Sequence, residues 1–370
     1  MRKGAKLASP LSSSTQGPLR IVAIGGGTGL SALLHGLKEY VPHPVPGAMA
    51  EPPARLPVID ITAVVTVTDD GGSSGRLRRE LDAPPPGDIR NCMVALSEDE
   101  ALLSRLFQYR FPAGRGLKGH SFGNLFLTAL TDLTGDFAKA VSISSEILAS
   151  RGRIFPSTAA KVSLEAELVD GSIVEGETKI SRSKLAIQEI RLKPARVRPI
   201  KETLTAIEEA DLICMGPGSL FTSVIPNLLV DGVAAAIKRS PARKAYFVNL
   251  MWQPGETIDF KASDHVLAIH RHSIEGLVDT VVLNTRPITG SRRRRYAAQQ
   301  VFPVQNDYPT LSELGLRVVG RNLLSRGETI RHAPDATASV AVELAQESRA
   351  SRLGGRSSLM AIGAYSLAHP

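Results

Sequence analysis

The sequence has few features that would place it outside the ordinary globular proteins. Its 370 residues include only two cysteines, Cys92 and Cys214, too few for a disulfide framework and without the ligand spacing of a metal site. The apolar runs stay below the ~18 residues that a membrane helix needs, so we predict no membrane span. Hydrophobic residues make up 43% and charged residues 22% of the chain, which argues against wholesale disorder. We therefore expect a globular, cytoplasmic protein with reduced thiols.

The excess positive charge, +8 at pH 7, is confined to two short segments. Residues 1–20 hold four lysines and arginines and no acid, and residues 292–295 are four consecutive arginines. The rest of the chain is balanced, so no basic stripe is indicated and we do not expect nucleic-acid binding.

Composition divides the chain into one large domain, residues 20–345, and two tails. Residues 1–19 are rich in Ser, Gly and Pro without the apolar segment of a secretory signal, and we expect a disordered basic tail. Residues 41–57 hold six prolines and should form an extended insertion. Residues 346–370 begin with alternating Arg, Ser and Gly, which predicts a loose C-terminal tail.

The domain repeats one pattern: a short β-branched strand, a glycine-rich turn and an apolar helix. Strands are predicted at residues 21–24, 59–68, 210–215, 244–250 and 280–283. Such alternation predicts an α/β fold with a Rossmann-like, doubly wound, mostly parallel sheet and sites at the carboxyl ends of its strands. Residues 155–198 break the pattern. Period-two spacing around Asp170-Gly171 predicts an inserted antiparallel β-hairpin there, which could form a lip over the site.

Two glycine-rich turns are suited to phosphate binding. The first follows a strand and opens a helix, and it consists of Gly25, Gly26, Gly27, Thr28 and Gly29. The second, after the strand at 210–215, supplies Gly216, Gly218, Ser219, Thr222, Ser223 and Asn227. Glycines let the backbone approach phosphate oxygens, and a helix N-terminus supplies free N–H groups. Two such turns indicate a diphosphate ligand, although a purely structural tight turn is the alternative for each. The P-loop pattern is missing, which excludes that class of NTPase.

A third loop, at Asp69-Asp70, combines two carboxylates with the hydroxyls of Ser73 and Ser74. The combination suits a polyphosphate with Mg²⁺, and Asp69 or Asp70 would be the metal ligand. Because adjacent side chains point in different directions, we expect only one aspartate to face a ligand. The alternative is a turn in which an aspartate caps the next helix.

Two further loop-to-helix transitions contribute polar candidates. Asp88, Arg90 and Asn91 could bind a sugar hydroxyl and a phosphate, or could simply begin a helix. Asn124 begins another helix close behind His120, which could be a general base or a structural histidine. His265, His270 and His272 lack a second cluster that would complete a metal site, and core or solvated roles are favoured for them.

With these motifs in order, the chain resembles the YvcK-like gluconeogenesis factors, within the wider group that includes 2-phospho-lactate transferase (CofD). The resemblance runs from about residue 20 to residue 344. It depends on GGGTGLS at Gly25, TDDGGSSGRLRRE at Thr68, PPGDIRNCMVALS at Pro85, FGNL at Phe122, GPGSLFTSVIPNLL at Gly216, NLMWQPGET at Asn249 and DHV at Asp264.

The resemblance implies a nucleotide-sugar-binding protein, typically for UDP-N-acetylglucosamine, linked to cell shape, cell-envelope synthesis and gluconeogenic growth. No catalytic reaction is assigned to the family branch that the chain resembles. The resemblance also implies regulatory protein partners, and the protein could form a homodimer. Tyr296 and Arg331 match the family's "Tyr … Arg-His" segment, which implies sugar-nucleotide contacts for both. In this sequence four arginines directly precede the tyrosine, and Ala333 is at the position where the family commonly has an aspartate.

Two other functions remain open at this point. A CofD-like transferase would use the same loops with Mg²⁺ to move a phospho-lactyl-type group from a nucleotide diphosphate. An NAD-binding oxidoreductase would use the first glycine turn, but the acid expected about 20 residues after it for the ribose is absent.

Overall fold

The computed structural model describes residues 17–42, 57–97 and 102–365, with side chains up to residue 354. The predicted basic tail up to residue 16, most of the proline-rich insertion and residues 366–370 lie outside this part of the chain. The described strands are β1 (Leu19–Gly25), β2 (Ile59–Val65), β3 (Arg153–Pro156), β4 (Ser163–Leu168), β5 (Ile173–Glu175), β6 (Ile187–Lys193), β7 (Leu212–Met215), β8 (Arg243–Phe247), β9 (Thr280–Asn284) and β10 (Arg317–Arg321).

Helices occupy most of the segments between these strands. They are α1 (Gly27–Leu37), α2 (Gly72–Leu81), α3 (Gly87–Leu96), α4 (Leu102–Gln108), α5 (Phe122–Thr134), α6 (Phe137–Ile147), α7 (Glu177–Ile180), α8 (Lys201–Glu209), α9 (Ile225–Leu228), α10 (Val233–Arg239), α11 (Ala262–His272), α12 (Gly290–Ala297), α13 (Tyr308–Glu313) and α14 (Pro334–Tyr365). A 3₁₀ turn (Lys38–Tyr40) follows α1, and a π-helical turn (Leu220–Val224) precedes α9.

Within the described residues the main sheet has seven strands in the order β10-β9-β8-β7-β1-β2-β3. All of its pairings are parallel. The chain builds outward from β1 through β2 and β3, then returns to the other side of β1 and continues from β7 to β10. The point between β1 and β7 is therefore the topological switch point, outside which ligands bind in doubly wound sheets. The predicted α/β fold is confirmed. The edge strands β3 and β10 were not predicted from the sequence pattern.

The central strands are buried on both faces, as expected for a parallel sheet covered by helices. Ile21, Ile24 and Ile61 have no exposed surface. Helix α1 packs against the start of α14 so closely that a Cβ at Gly36 would lie 2.2 Å from the carbonyl oxygen of Pro334. This contact fixes the position on the sheet of α1, the helix that begins within the first glycine turn.

Strands β4, β5 and β6 form the predicted excursion as a separate antiparallel sheet in the order β5-β4-β6. The hairpin turns at Asp170-Gly171, where Gly171 has φ +81° and Asp170 Oδ1 accepts a 3.0 Å hydrogen bond from Ser172 N. The short helix α7 follows β5 and carries the excursion back towards the main sheet.

The C-terminal segment differs from the loose tail predicted for residues 346–370. Helix α14 continues to Tyr365, and its residues Arg349 and Arg352 both form ion pairs with Asp211, whose side chain is 4% exposed. Asp211 also accepts a 2.8 Å hydrogen bond from Arg20 N at the start of β1. The arginines that look like solvated tail residues in the sequence instead attach this helix to the sheet.

In the described part of the chain, no single helix is long and apolar enough to cross a membrane. The bent pair Leu220–Leu228 and Val233–Arg239, which meets at 76°, passes such a test by length and composition only.

Candidate functional site

The two predicted glycine turns lie side by side at the switch point. The first connects β1 to α1, with Gly27 at φ +64°, and the second follows β7, with Gly216 at φ +73°. A Cβ at Gly29 would lie 2.4 Å from the carbonyl oxygen of Pro217 and 2.9 Å from Gly218 Cα. Only glycine permits this approach, so the two turns form one continuous backbone surface.

Beside the two turns is a cavity of about 350 Å³, which we call the first chamber. Nine predicted residues line it: Gly26, Gly27, Thr28, Gly29, Asp88, Gly218, Ser219, Ser223 and Arg331. Sequence reasoning missed the rest of the wall, which is made of Ala32, Glu177, Pro217, Asn249, Leu250, Met251, Trp252, Gln253, Ile330 and His332. Half of the missed residues come from the 249–253 segment, whose NLMWQPGET motif carried the family resemblance without indicating side-chain roles.

The two adjacent aspartates point in different directions, as predicted. Asp70 Oδ1 accepts hydrogen bonds from Thr178 N (2.8 Å) and Thr178 Oγ1 (2.6 Å), and so anchors α7 of the excursion. Asp69 Oδ1 accepts one from Gly71 N (2.9 Å), while its Oδ2 faces Gly87 at the start of α3, where a Cβ would lie 2.4 Å away. Neither aspartate is among the described residues that line the first chamber. Asp70 thus has a structural partner, and Asp69 lies behind the chamber wall.

Two carboxyl groups do face the first chamber, Asp88 and Glu177. Burial and the nearby Asp69 raise the pKa of Asp88 to about 7, although the Gly27 N–H favours its charged form. Burial and then the carboxylates Asp88 and Asp69 raise the pKa of Glu177 to about 9. Glu177 Oε2 is buried without a hydrogen-bond partner among the described residues. Glu177 is therefore a neutral carboxylic acid at pH 7 that can donate a hydrogen bond into the cavity.

Several predicted residues support the site from behind. Ser74 Oγ accepts from Gly87 N (3.1 Å) and from Asn124 Nδ2 (3.4 Å), which links α2, α3 and α5. Ser73 Oγ lies 3.0 Å from His120 Nδ1. His120 is thus held by a serine hydroxyl behind the chamber and does not line it, which favours the structural reading over a general base.

Arg90 and Asn91 are not among the residues that line the first chamber. Arg90 donates to Ser121 Oγ (2.9 Å) and to Asn91 Oδ1 (2.5 Å). Burial and the nearby Arg110 lower the pKa of Arg90.

The second turn is held in place by a buried glutamate that sequence reasoning missed. Glu256 accepts hydrogen bonds from Phe221 N (3.3 Å), Thr222 Oγ1 (3.4 Å) and Ser181 Oγ (3.2 Å). Burial raises its pKa to about 7 despite these donors. Asn227 Nδ2 donates to the carbonyl oxygens of Ser223 (2.7 Å) and Gly25 (3.2 Å), which ties the two turns together. Thr222 and Asn227 are consequently structural supports of the turn rather than cavity wall.

Tyr296 and Arg331 differ in their positions. Arg331 is exposed and lines the first chamber. Its backbone carbonyl accepts a 2.9 Å hydrogen bond from Ser325 N, whereas its guanidinium makes no hydrogen bond or ion pair with any described residue. Tyr296 packs against a small apolar cluster that includes Leu250, Met251 and Ile330, and it does not line the first chamber.

The histidines of α11 make hydrogen bonds within the fold. Buried His265 lies 2.9 Å from Tyr246 Oη through Nδ1, and His272 Nε2 accepts a 3.0 Å hydrogen bond from Ile190 N. Among the described residues no three His, Cys, Asp or Glu side chains come close enough to hold a metal ion.

Comparison with known proteins agrees with this architecture. Residues 21–324 match the family described as 2-phospho-L-lactate transferase CofD. The gluconeogenesis factor of Bacillus subtilis is 45% identical over 329 residues, which cover 89% of this chain and 98% of the relative. The chain belongs to the CofD family, among the gluconeogenesis factors. The gluconeogenesis factor of Halalkalibacterium halodurans is 46% identical over 313 residues, 84% of this chain and 92% of its own.

A solved structure extends the likeness to three dimensions. The crystal structure of a Bacillus halodurans protein superimposes with a TM-score of 0.81 at 45% identity, covering 89% of this chain and all of that one. The predicted membership of the gluconeogenesis factor family is confirmed.

Proposed function

We propose that this gluconeogenesis factor binds a nucleotide sugar of the UDP-N-acetylglucosamine type in the first chamber and acts as a regulator rather than as an enzyme. The observation that carries the proposal is the contact between the two glycine turns, with Gly29 against Pro217 and Gly218. Together the turns present backbone groups of both, at the N-terminus of α1, to one ligand. Such a surface suits a diphosphate, since N–H groups and the helix dipole both favour negative charge.

The charged and polar groups around the turns support the same ligand. Arg331 can pair with the diphosphate across the chamber because no described residue occupies its guanidinium. Asp88, Glu177, Asn249 and Gln253 line the same chamber with carboxyl and amide groups, which match the hydroxyl and amide groups of a sugar. Trp252 and Leu250 add the apolar surface that a pyrimidine ring needs.

A regulatory role follows from the family and from where the ligand would act. Relatives that share nearly half of the residues are named gluconeogenesis factors. Glu177 comes from α7 of the excursion and Arg331 from the segment before α14, so a bound ligand would connect two distant parts of the chain. Ligand binding would then shift the chain between conformations with different affinity for partner proteins of cell-envelope synthesis and gluconeogenic growth. A cytoplasmic location fits the two buried, unpaired cysteines.

Calorimetric titration with UDP-N-acetylglucosamine, GDP and NAD, each with and without Mg²⁺, tests the proposal. We expect one site for the UDP-sugar, independent of Mg²⁺, and an affinity at least about tenfold weaker in Arg331→Ala because a charged contact to phosphate is lost. Arg239→Ala is the matched control, since this exposed arginine ends α10 at the opposite edge of the sheet. Equal affinity for NAD, or no binding of the UDP-sugar, would contradict the proposal.

A CofD-like, Mg²⁺-dependent transferase is the second candidate, favoured by one observation. Asp69 helps to raise the pKa of Asp88, and Asp88 and Asp69 both help to raise that of Glu177, so the ionised forms of Asp88 and Glu177 would gain from a cation. Carboxylate oxygens are ligands that Mg²⁺ accepts, and the ion usually completes its shell with water and phosphate oxygens. Bound there, Mg²⁺ would neutralise charge on the nucleoside monophosphate that leaves when the phospho-lactyl group is transferred, while Asp70 keeps its role in holding α7. Binding of GDP only with Mg²⁺, lost in Asp69→Ala, would select this function.

A further inference from the structure

We propose that a second cavity beside the first chamber binds a small, hydroxyl-bearing phosphate monoester such as a sugar phosphate. This second chamber has a volume of about 680 Å³ and lies between α1, α3, the end of α4 and residues 325–334. It shares the wall residues Thr28, Ala32, Arg331 and His332 with the first chamber. The proposal concerns a separate site and does not depend on which nucleotide occupies the first.

The two chambers differ in the sign of their charged side chains. The first is lined by Asp88 and Glu177 as well as Arg331. The second is lined by Arg90 and Arg331, and the described residues of its wall include no aspartate or glutamate. An anion that enters the cleft therefore meets two guanidinium groups and no carboxyl group in the described wall of the second chamber, whereas in the first it meets one guanidinium group and two carboxyl groups.

Arg90 is held so that its charge remains available. Its two described hydrogen bonds go to neutral oxygens, Ser121 Oγ and Asn91 Oδ1, and no described carboxylate forms an ion pair with it. Asp69 and Asp88 act on it only through space, from the side of the first chamber. A half-buried guanidinium without a carboxylate partner gains from an anion that replaces its lost hydration.

The remaining wall suits the rest of such a molecule. Asn91, Gln108 and Ser325 supply amide and hydroxyl groups, and Ser31 Oγ, which donates to Gly27 O (2.9 Å), still has lone pairs to accept from a sugar hydroxyl. Val94 and Ala95 provide an apolar floor. His332 adds no charge, since burial lowers its pKa to about 4. Arg90 with several neutral polar groups matches one phosphate on a hydroxylated body, and Arg331, which both chambers share, remains available to the diphosphate of the first.

Calorimetric titration of the full chain with glucose 6-phosphate, glucose and inorganic phosphate tests this inference. We expect one site for glucose 6-phosphate, weaker binding of inorganic phosphate and none of glucose. Gln108→Glu places a negative charge in the acid-free wall at an exposed position and should weaken glucose 6-phosphate binding about tenfold. Gln299→Glu, the same change at an exposed position outside both chambers, should have no effect.

Arg90→Met removes the cation and should abolish measurable binding, with a thermal melt to show that the variant folds. The titration is repeated with saturating UDP-N-acetylglucosamine, and glucose 6-phosphate should still bind. The inference would be overturned if glucose bound as well as glucose 6-phosphate, or if Gln108→Glu left the affinity for glucose 6-phosphate unchanged. It would also be overturned if the nucleotide sugar displaced glucose 6-phosphate, because the second chamber would then belong to the nucleotide site. If the nucleotide sugar itself does not bind, the proposed function is contradicted. The titrations with glucose 6-phosphate, glucose and inorganic phosphate alone still test whether the second chamber binds a phosphate monoester.

Discussion

The hydroxyl of Tyr296 accepts a 3.2 Å hydrogen bond from the backbone N–H of Ile330, the residue before Arg331. The tyrosine ring packs against the same small cluster as the Ile330 side chain. Tyr296 therefore holds in place the backbone that presents Arg331 to the chambers. The resemblance implies a direct sugar-nucleotide contact for this tyrosine, whereas its position indicates that it acts through its neighbour.

Replacing Tyr296 by Phe should weaken binding of UDP-N-acetylglucosamine about three- to tenfold. The variant keeps the ring but loses one hydrogen bond, worth about 1 kcal/mol, at the segment that carries Arg331. Calorimetry gives the affinity, and Tyr308→Phe, at a tyrosine that is 46% exposed, is the control. An unchanged affinity would show that the hydroxyl does not position Arg331.

Adding one methyl group at Gly29 should separate the two glycine turns. In Gly29→Ala the Cβ would meet the carbonyl oxygen of Pro217 at 2.4 Å, so the backbone must shift, at a cost of about 1–3 kcal/mol. We expect lower thermal stability and loss of nucleotide-sugar binding. Gly354→Ala makes the same change where nothing lies within 4 Å, and it should retain both. If both variants bind equally well, the contact between the turns is not needed for the ligand.

Replacing Glu177 by Gln should stabilise the ligand-free protein at alkaline pH. The folded pKa of about 9 lies above the ordinary 4.5, so the wild-type protein loses stability as the pH rises from about 4.5 to about 9. Gln carries no titrating proton and should raise the free energy of unfolding at pH 8 by at least about 1 kcal/mol, after allowance for solvent screening.

Urea unfolding at pH 5 and pH 8 measures this difference between wild type and Glu177→Gln. Glu175→Gln is the contrasting control, because the hydrogen bond and ion pair with Lys193 lower the pKa of Glu175. Replacing this carboxylate should therefore not raise the free energy of unfolding. Equal stability of wild type and Glu177→Gln at pH 8 would mean that Glu177 is already solvated.

Removing the carboxylate of Asp211 should release the end of α14 from the sheet. The guanidinium groups of Arg349 and Arg352 would lose their common partner, so Asp211→Ala should reduce the free energy of unfolding by roughly 3 kcal/mol. Faster amide hydrogen exchange should appear near Arg349. Asp231→Ala, at an exposed aspartate, should leave both measurements unchanged. Unaltered exchange in Asp211→Ala would contradict the proposed attachment.

Local patterns were sufficient for much of the fold because their physical causes are local. β-Branched runs such as residues 59–65 form buried strands, and Asp170-Gly171 forms a hairpin turn since glycine accepts φ +81°. The short edge strands β3 and β10 and the length of α14 could not be predicted in the same way. Their stability depends on partners far away in the sequence, such as Asp211 for the arginines of α14.

The sequence by itself determined the alternation of strands and helices, the two glycine turns at strand ends and the family. It also indicated that Asp69 and Asp70 point apart, because that follows from an extended backbone. Tertiary structure alone decided which polar groups face one cavity. Asp88, Glu177 and Arg331 come from distant segments and meet only when β1 and β7 become neighbours. The raised pKa values of Asp88 and Glu177 depend on burial and through-space charge, which no local pattern encodes.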